Sequence, residues 1–184
     1  MMKLKWLLMF LIVHALVLGG CAVTVEKAEL IPLNVATYPS TGKTIYIAPV
    51  TARPQPKPGF LMNEPPRLDG ETYRNAIAGT LRRTRLFSDI QTSGNADYTL
   101  TADIVGQRIL GGASNVGLLL VHYSLVESEN NREIWSGNLF SHFESTAEKV
   151  FYGGERVRRL LERLARDNMS KLGKKMGDVL LSSG

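Results

Sequence analysis

The chain alternates between two apolar periods. Tyr98, Leu100, Ala102 and Ile104 alternate with Thr99, Thr101 and Asp103. Period two predicts a strand with one covered face, running on towards Leu110. Glycines and small polar residues at 111–115 break it. Residues 118–126 read as a second strand, 127–132 as a polar turn, and 133–143 as a third strand. The alternation of the third slips near Gly137, which predicts a bulge there. Short connections between three such strands predict an antiparallel meander. Residues 154–181 then switch to helical spacing. Val157, Leu160, Leu161, Leu164, Ala165, Met169, Leu172, Met176, Val179 and Leu180 form one stripe. Gly173 and Gly177 weaken that helix near its end.

The first half is more broken. Residues 43–50 are β-branched and aromatic, a buried strand stopped near Pro49. Asp69 is placed to cap a helix, with Glu71 in its first turn. Tyr73, Ile77 and Leu81 repeat at four-residue spacing, with Ala76 and Thr80 beside them. Arg82, Arg83 and Arg85 stand at the carboxyl end, where the helix dipole favours cations. The helix is expected to end around 86–87, followed by a short strand at 88–92 and a turn at 93–95. The predicted fold is an α/β (α+β) domain over 43–184. It holds a mixed sheet of about four or five strands, with an antiparallel meander and two main helices packed on it.

The segment before this domain has a different character. Lys3 and Lys5 precede a run of nearly unbroken apolar residues, 6–18, closed by Leu18-Gly19-Gly20-Cys21. The run is too short for a membrane span, which needs about 20 apolar residues. Its anatomy is that of an export signal. The closing motif resembles the lipobox of bacterial lipoproteins. The resemblance implies cleavage before Cys21, acylation of its thiol, and three acyl chains. It divides the chain into a signal peptide (1–20), a tether (21–42) and the domain. Ala22 follows the cysteine, and no Asp stands there. That pattern resembles lipoproteins sorted to the outer membrane, so a periplasm-facing, lipid-anchored placement is expected.

Cleavage changes the charge and the chemistry. Without Lys3 and Lys5, twenty basic residues remain against 17 acidic ones, a net of +3. That balance is weak support for a polyanionic partner, and no nucleic acid is expected. Cys21 is the only cysteine. Once acylated it leaves no disulfide, thiolate metal site or cysteine nucleophile. His122 and His142 are the histidines of the mature chain. In an antiparallel pair they are able to approach each other, but two ligands do not make a zinc site. One is expected to be partly exposed and the other packed. Glu127, Glu129 and Glu133 surround a turn and read as solvated. No phosphate loop, nucleophile elbow or zinc-protease motif occurs. No catalytic residue, metal or cofactor is therefore expected.

Two further features bear on partners. The last helix carries many Lys and Arg residues, but Glu155, Glu162, Asp167 and Asp178 are interspersed. Glu155–Arg159 and Glu162–Arg166 are four-residue pairs, so it reads as an ordinary packed helix with a wet side. The stretch 53–66 holds Pro54, Pro56, Pro58, Pro65 and Pro66 around Phe60. It is a loop of polyproline character. Prolines lower the ordering cost of binding, so these six residues are the candidate partner contacts.

Ala96-Asp97-Tyr98-Thr99-Leu100-Thr101-Ala102 follows a helix ending in Leu86-Phe87. Tyr123-Ser124-Leu125 and Ile134-Trp135-Ser136-Gly137 come after it. This pattern resembles lipoprotein activators of penicillin-binding proteins and auxiliary lipoproteins of lipid-trafficking ABC transporters. The TolB amino-terminal domain and the curli secretion lipoprotein have related architecture. The resemblance implies helices on one side of a sheet. The expected function is that of a non-enzymatic, lipid-anchored component that binds an envelope protein. An auxiliary subunit of an ABC-type lipid or solute transporter is the alternative, and an envelope hydrolase the third. The sequence leaves the oligomeric state open.

Overall fold

A computed structural model describes residues 30–53, 67–91, 95–110, 114–146 and 153–182. Among these described residues are six strands: β1 (Thr44–Ile47), β2 (Thr51–Ala52), β3 (Asp89–Gln91), β4 (Tyr98–Leu110), β5 (Ser114–Glu127) and β6 (Arg132–Thr146). The helices are α1 (Gly70–Thr84) and α2 (Gly153–Ser182). The sheet order is β3-β1-β4-β5-β6, and β2 pairs with β4 beyond the end of β1. β1 runs parallel to β3 and β4. β4, β5 and β6 are an antiparallel meander. The mixed sheet, the meander and the two helices agree with the sequence reading.

Each boundary has a local cause. Asp69 caps α1, its carboxylate accepting from Thr72 N–H at 2.8 Å. Arg85 ends the helix in the left-handed region at φ 59°. β5 begins at Ser114, earlier than its apolar run suggests, because its first residues pair with 144–146 of β6. The bulge expected at Gly137 lies elsewhere. Gly137 pairs regularly with Tyr123, and the extra residue of β6 is Ile134. A Cβ on Gly137 would sit 3.3 Å from the Trp135 ring, so the glycine makes room for the indole. A second bulge falls at Val105 of β4. It shifts the alternation, so that Gln107 turns inward where Ile104 did before it.

Both helices cover the same face of the sheet. Ile45, Ile47, Leu100, Ile104, Leu119, Val121 and Leu125 meet Ala76, Ile77, Leu81, Leu160, Leu161, Leu164, Met169 and Leu172 in one buried cluster. Gly117 lets β5 approach α2 closely. A Cβ there would lie 2.7 Å from Leu164 and 2.8 Å from Leu160.

A polar knot lies inside this core. Tyr73 of α1, Tyr123 of β5 and Asn168 of α2 are each fully buried. The Asn168 Oδ1 accepts from both phenols, at 3.0 and 2.8 Å, and the two hydroxyls are 3.0 Å apart. Asn168 Nδ2 donates to the Leu139 carbonyl at 3.0 Å and to Ser141 Oγ at 3.3 Å. One carboxamide therefore ties α2 to α1, β5 and β6.

Residues 30–42, part of the expected tether, pack on the helices. Leu30 is fully buried. Tyr38 N–H donates to the Thr84 carbonyl, and Thr41 N–H to that of Leu86, both at 2.8 Å. Arg83 donates to the Pro32 carbonyl. Cβ atoms on Gly79, Gly173 and Gly177 would collide with or crowd Ile31, Val35 and Tyr38 respectively. The late glycines of α2 thus mark where this strap lies.

Two outcomes test the knot. Asn168→Leu strands a phenol proton and the Leu139 carbonyl, and denaturant unfolding should show a loss of about 3 kcal/mol. Tyr73→Phe should cost about 1 kcal/mol. Burial raises the pKa of Tyr73 and Tyr123 above the ordinary value of 10.0. A raised folded pKa gives stability that is present below the unfolded value and lost above it. Above pH 10 stability should fall, and the last two tyrosinate absorbance steps should coincide with loss of circular dichroism.

Candidate functional site

The face of the sheet away from the helices is uncovered in the described residues. Register places its side chains in cross-strand rows. Thr101, Ser124 and Ser136 share one row, and Asp103, His122 and Asn138 the next. Beyond them follow Gly106, Leu120 and Phe140, then Arg108, Leu118 and His142, then Leu110, Val116 and Glu144. The face is therefore polar at one end, and at the other it mixes Leu110, Val116, Leu118, Leu120 and Phe140 with Arg108, His142 and Glu144. Phe140 is 52% exposed and Leu110 is 54% exposed. Single exposed apolar side chains are ordinary, but here several stand on neighbouring rows of one face.

The polar end is cross-linked. His122 Nδ1 lies 3.0 Å from Asn138 Oδ1, and Nε2 lies 3.3 Å from Ser136 Oγ. An amide oxygen only accepts, so Nδ1 carries the proton and Nε2 takes that of Ser136. Asp103 accepts from Thr51 Oγ1 at 2.9 Å and from Arg53 Nε at 3.2 Å. Ser136, His122 and Asn138 stand in the order of hydroxyl, base and orienting group. Sequence reading missed this constellation, although Ser136 and Asn138 are two apart on one strand and so share a face. The sheet's N–H groups lie in its plane, directed at neighbouring strands rather than out of the face. The arrangement fixes the imidazole, but the ladder supplies no donor where an oxyanion would form.

The two histidines do not meet. His122 pairs with Asn138, whereas His142 pairs with Leu118, two rows away. Neither is packed. His122 is half-buried and His142 is exposed, with its Nε2 3.9 Å from Glu144. Among the described residues no cluster of three or more metal-ligating side chains occurs.

The proline-rich segment and Cys21 lie outside the described residues, but the stems of the loop do not. Arg53 N–H donates to the Ile104 carbonyl at 3.1 Å. Leu68 N–H donates to the buried Gln107 Oε1 at 3.0 Å. Both stems are therefore fastened to β4 at 103–107, next to the strand end that carries Leu110. The bulge at Val105 is what turns Gln107 to meet Leu68.

At the opposite end of β4 a shallow depression is lined by Thr44, Asn95, Ala96, Asp97, Ser128 and Glu129. Its carboxylate is already engaged. Asp97 Oδ2 accepts from Thr44 N–H at 2.7 Å and from its hydroxyl at 2.8 Å, and Lys43 Nζ lies 3.3 Å from Oδ1. The Asp97 carbonyl accepts from Ser128 N–H at 2.8 Å. This clasp joins the start of β1, the start of β4 and the β5–β6 turn. The Ala96-Asp97-Tyr98 motif has its physical reason here. Tyr98 packs edge-on against Phe87, with centroids 6.2 Å apart.

The outer side of α2 is wet and largely paired. Glu155 bonds Arg158 and Arg159, and these guanidiniums hold its carboxyl down to about 2. Glu162, only 5% exposed, bonds Arg158 and Arg166. Lys171 reaches the Phe140 carbonyl at 2.7 Å, blunting the edge of β6. Lys175 lies 5.8 Å from the Trp135 ring centre.

A single mixed sheet with both helices on one face defines the class of the protein, and this fold recurs among solved structures. Protein XCC0632 from Xanthomonas campestris, described by the family-model DUF330, is similar with a TM-score of 0.66 at 13% identity. That match covers 83% of this chain and 95% of the other. A candidate lipoprotein from Caulobacter crescentus CB15 is similar at TM-score 0.50 and 14% identity, over 75% and 92% of the chains. Protein CT253 from Chlamydia trachomatis is similar at TM-score 0.50 and 13% identity, over 71% and 95%. At these identities the likeness is one of fold. No family model and no curated protein matches the chain. No helix among the described residues is long and apolar enough to cross a membrane.

The clasp yields a pH test. Hydrogen bonds from the Thr44 amide and hydroxyl, with Lys43 beside them, lower the Asp97 pKa below 3.8. A lowered folded pKa gives stability that is present above the unfolded value and lost as pH falls through the folded one. The Tm should therefore drop through the carboxylate range. Asp97→Asn should have a lower Tm at neutral pH and a shallower acid-side drop. An unchanged acid profile would show that the clasp contributes nothing.

Proposed function

We propose that the protein is a lipid-anchored, non-enzymatic lipoprotein of the cell envelope. In this reading Cys21 carries the lipid, and the domain faces the periplasm from the outer membrane. The open face of the sheet is the surface that binds another envelope component. One observation carries the reading: the apolar side chains at one end of that face. Phe140 and Leu110 stand in water there, Leu118 and Leu120 lie between them, and Arg53, the first stem of the proline-rich loop, is bonded to Asp103 of the same face. Pro54, Pro56, Pro58, Phe60, Pro65 and Pro66 are the further candidate contacts in this reading. The candidate lipoprotein from Caulobacter crescentus CB15, which is similar in fold, supports the envelope setting.

The experiment joins anchorage and capture. Cys21→Ser should release the protein from the membrane fraction. Phe140→Asp and Leu110→Asp replace exposed side chains, so each should change stability by less than about 0.5 kcal/mol. Both should lose the protein captured by crosslinking in cells, and so should deletion of 54–66. A captured peptidoglycan synthase means an activator, and transporter subunits mean an auxiliary component. Undiminished capture by all three variants would contradict the proposed surface.

A further inference from the structure

The geometry points to a second contact surface: the outer side of the helix layer rests on the anionic headgroups of the membrane that holds the lipid. This inference uses the lipid anchor at Cys21 and adds which face of the domain meets the bilayer.

The first observation is where the chain joins the domain. Leu30 follows Cys21 by nine residues. Fully extended, nine residues span at most about 32 Å. The chain does not then swing free. Leu30 is buried, and the strap behind it is bonded to Pro32–Arg83, Tyr38–Thr84 and Thr41–Leu86 contacts. Gly79 of α1 and Gly173 and Gly177 of α2 receive Ile31, Val35 and Tyr38. The anchor therefore enters across the helices, on the side away from the open sheet face.

Charge is the second observation. Lys171 turns to the edge of β6. The other exposed charges on the helices are Arg82, Arg83, Arg159, Arg163 and Lys174 against Glu71 and Asp178, a net of +3. Arg82, Arg163 and Lys174 form no ion pair among the described residues. The open sheet face carries Arg53 and Arg108 against Asp89, Asp103, Glu133 and Glu144, a net of −2. Basic residues are attracted to an anionic surface, and the attraction falls off within a Debye length of about 10 Å. A domain already held within reach of the lipid needs little more to be oriented. The contact is electrostatic, because the apolar stripe of α2 is spent on the sheet. It leaves the Phe140 end of the open face free for protein.

The test uses the full, lipidated chain in vesicles. Acylation consumes the only thiol, so Arg163→Cys and Asn138→Cys each give one labelling position. Each labelled protein is floated with vesicles of phosphatidylcholine, with or without phosphatidylglycerol, carrying a headgroup quencher. The label at 163 should be quenched several-fold more than that at 138 on anionic vesicles. The difference should shrink on neutral vesicles and in high salt. Reversing Arg82 and Lys174 to Glu in the Arg163→Cys protein should also reduce it, with flotation and circular dichroism unchanged. Equal quenching at both positions, or more at 138, overturns the inference while leaving the anchor standing. Quenching at 163 that follows protein density rather than lipid charge means self-association, and also overturns it. Failure to float at all removes the anchor, and the inference with it.

Discussion

A helix laid on a sheet through apolar contacts alone is able to slide, and Asn168 removes that freedom. Its carboxamide bonds two phenols, a strand carbonyl and a serine hydroxyl, so α2 has one position relative to α1, β5 and β6. Buried polar groups are costly unless every one finds a partner. The two phenols supply two protons for three close oxygens, and the amide supplies its own to β6. A thirty-residue helix of about 45 Å is thereby fixed over a meander without covering the meander's far face.

That one-sidedness shapes everything else. With both helices in one layer, the sheet presents a face whose rows grade from hydrogen-bonded polar residues to exposed leucine and phenylalanine. The edge of β6 is blunted by Lys171 rather than left as a template. The strap is laid across the helices instead of across the sheet, so the entering chain and the open face lie on opposite sides. Under the proposed function, this separation would let one domain hold to a membrane and present a protein-binding surface at once.

Much of this was legible in the chain. Asp69, the four-residue repeat of α1, the alternation of β4 and the stripe of α2 each report a local preference that tertiary packing kept. The misses came from pairing and close approach. Whether a strand carries an extra residue is decided by its neighbour, so Val105 and Ile134 gave no local sign. Gly137 drew attention because it is glycine, yet it serves the Trp135 ring. Gly173 and Gly177 read as helix-weakening, but they are seats for Val35 and Tyr38. Whether His122 and His142 approach each other depended on a register that two-residue alternation cannot fix. Ser136 and Asn138 were individually unremarkable polar residues until the register set both beside His122.

The most direct test of the two-faced account is photo-crosslinking in living cells, with a photoreactive amino acid at position 140 in one strain and at 163 in another. The account predicts a discrete protein adduct from 140 and lipid adducts from 163. A protein adduct from 163 with none from 140 would contradict it, because the open face of the sheet would then be only a solvated surface.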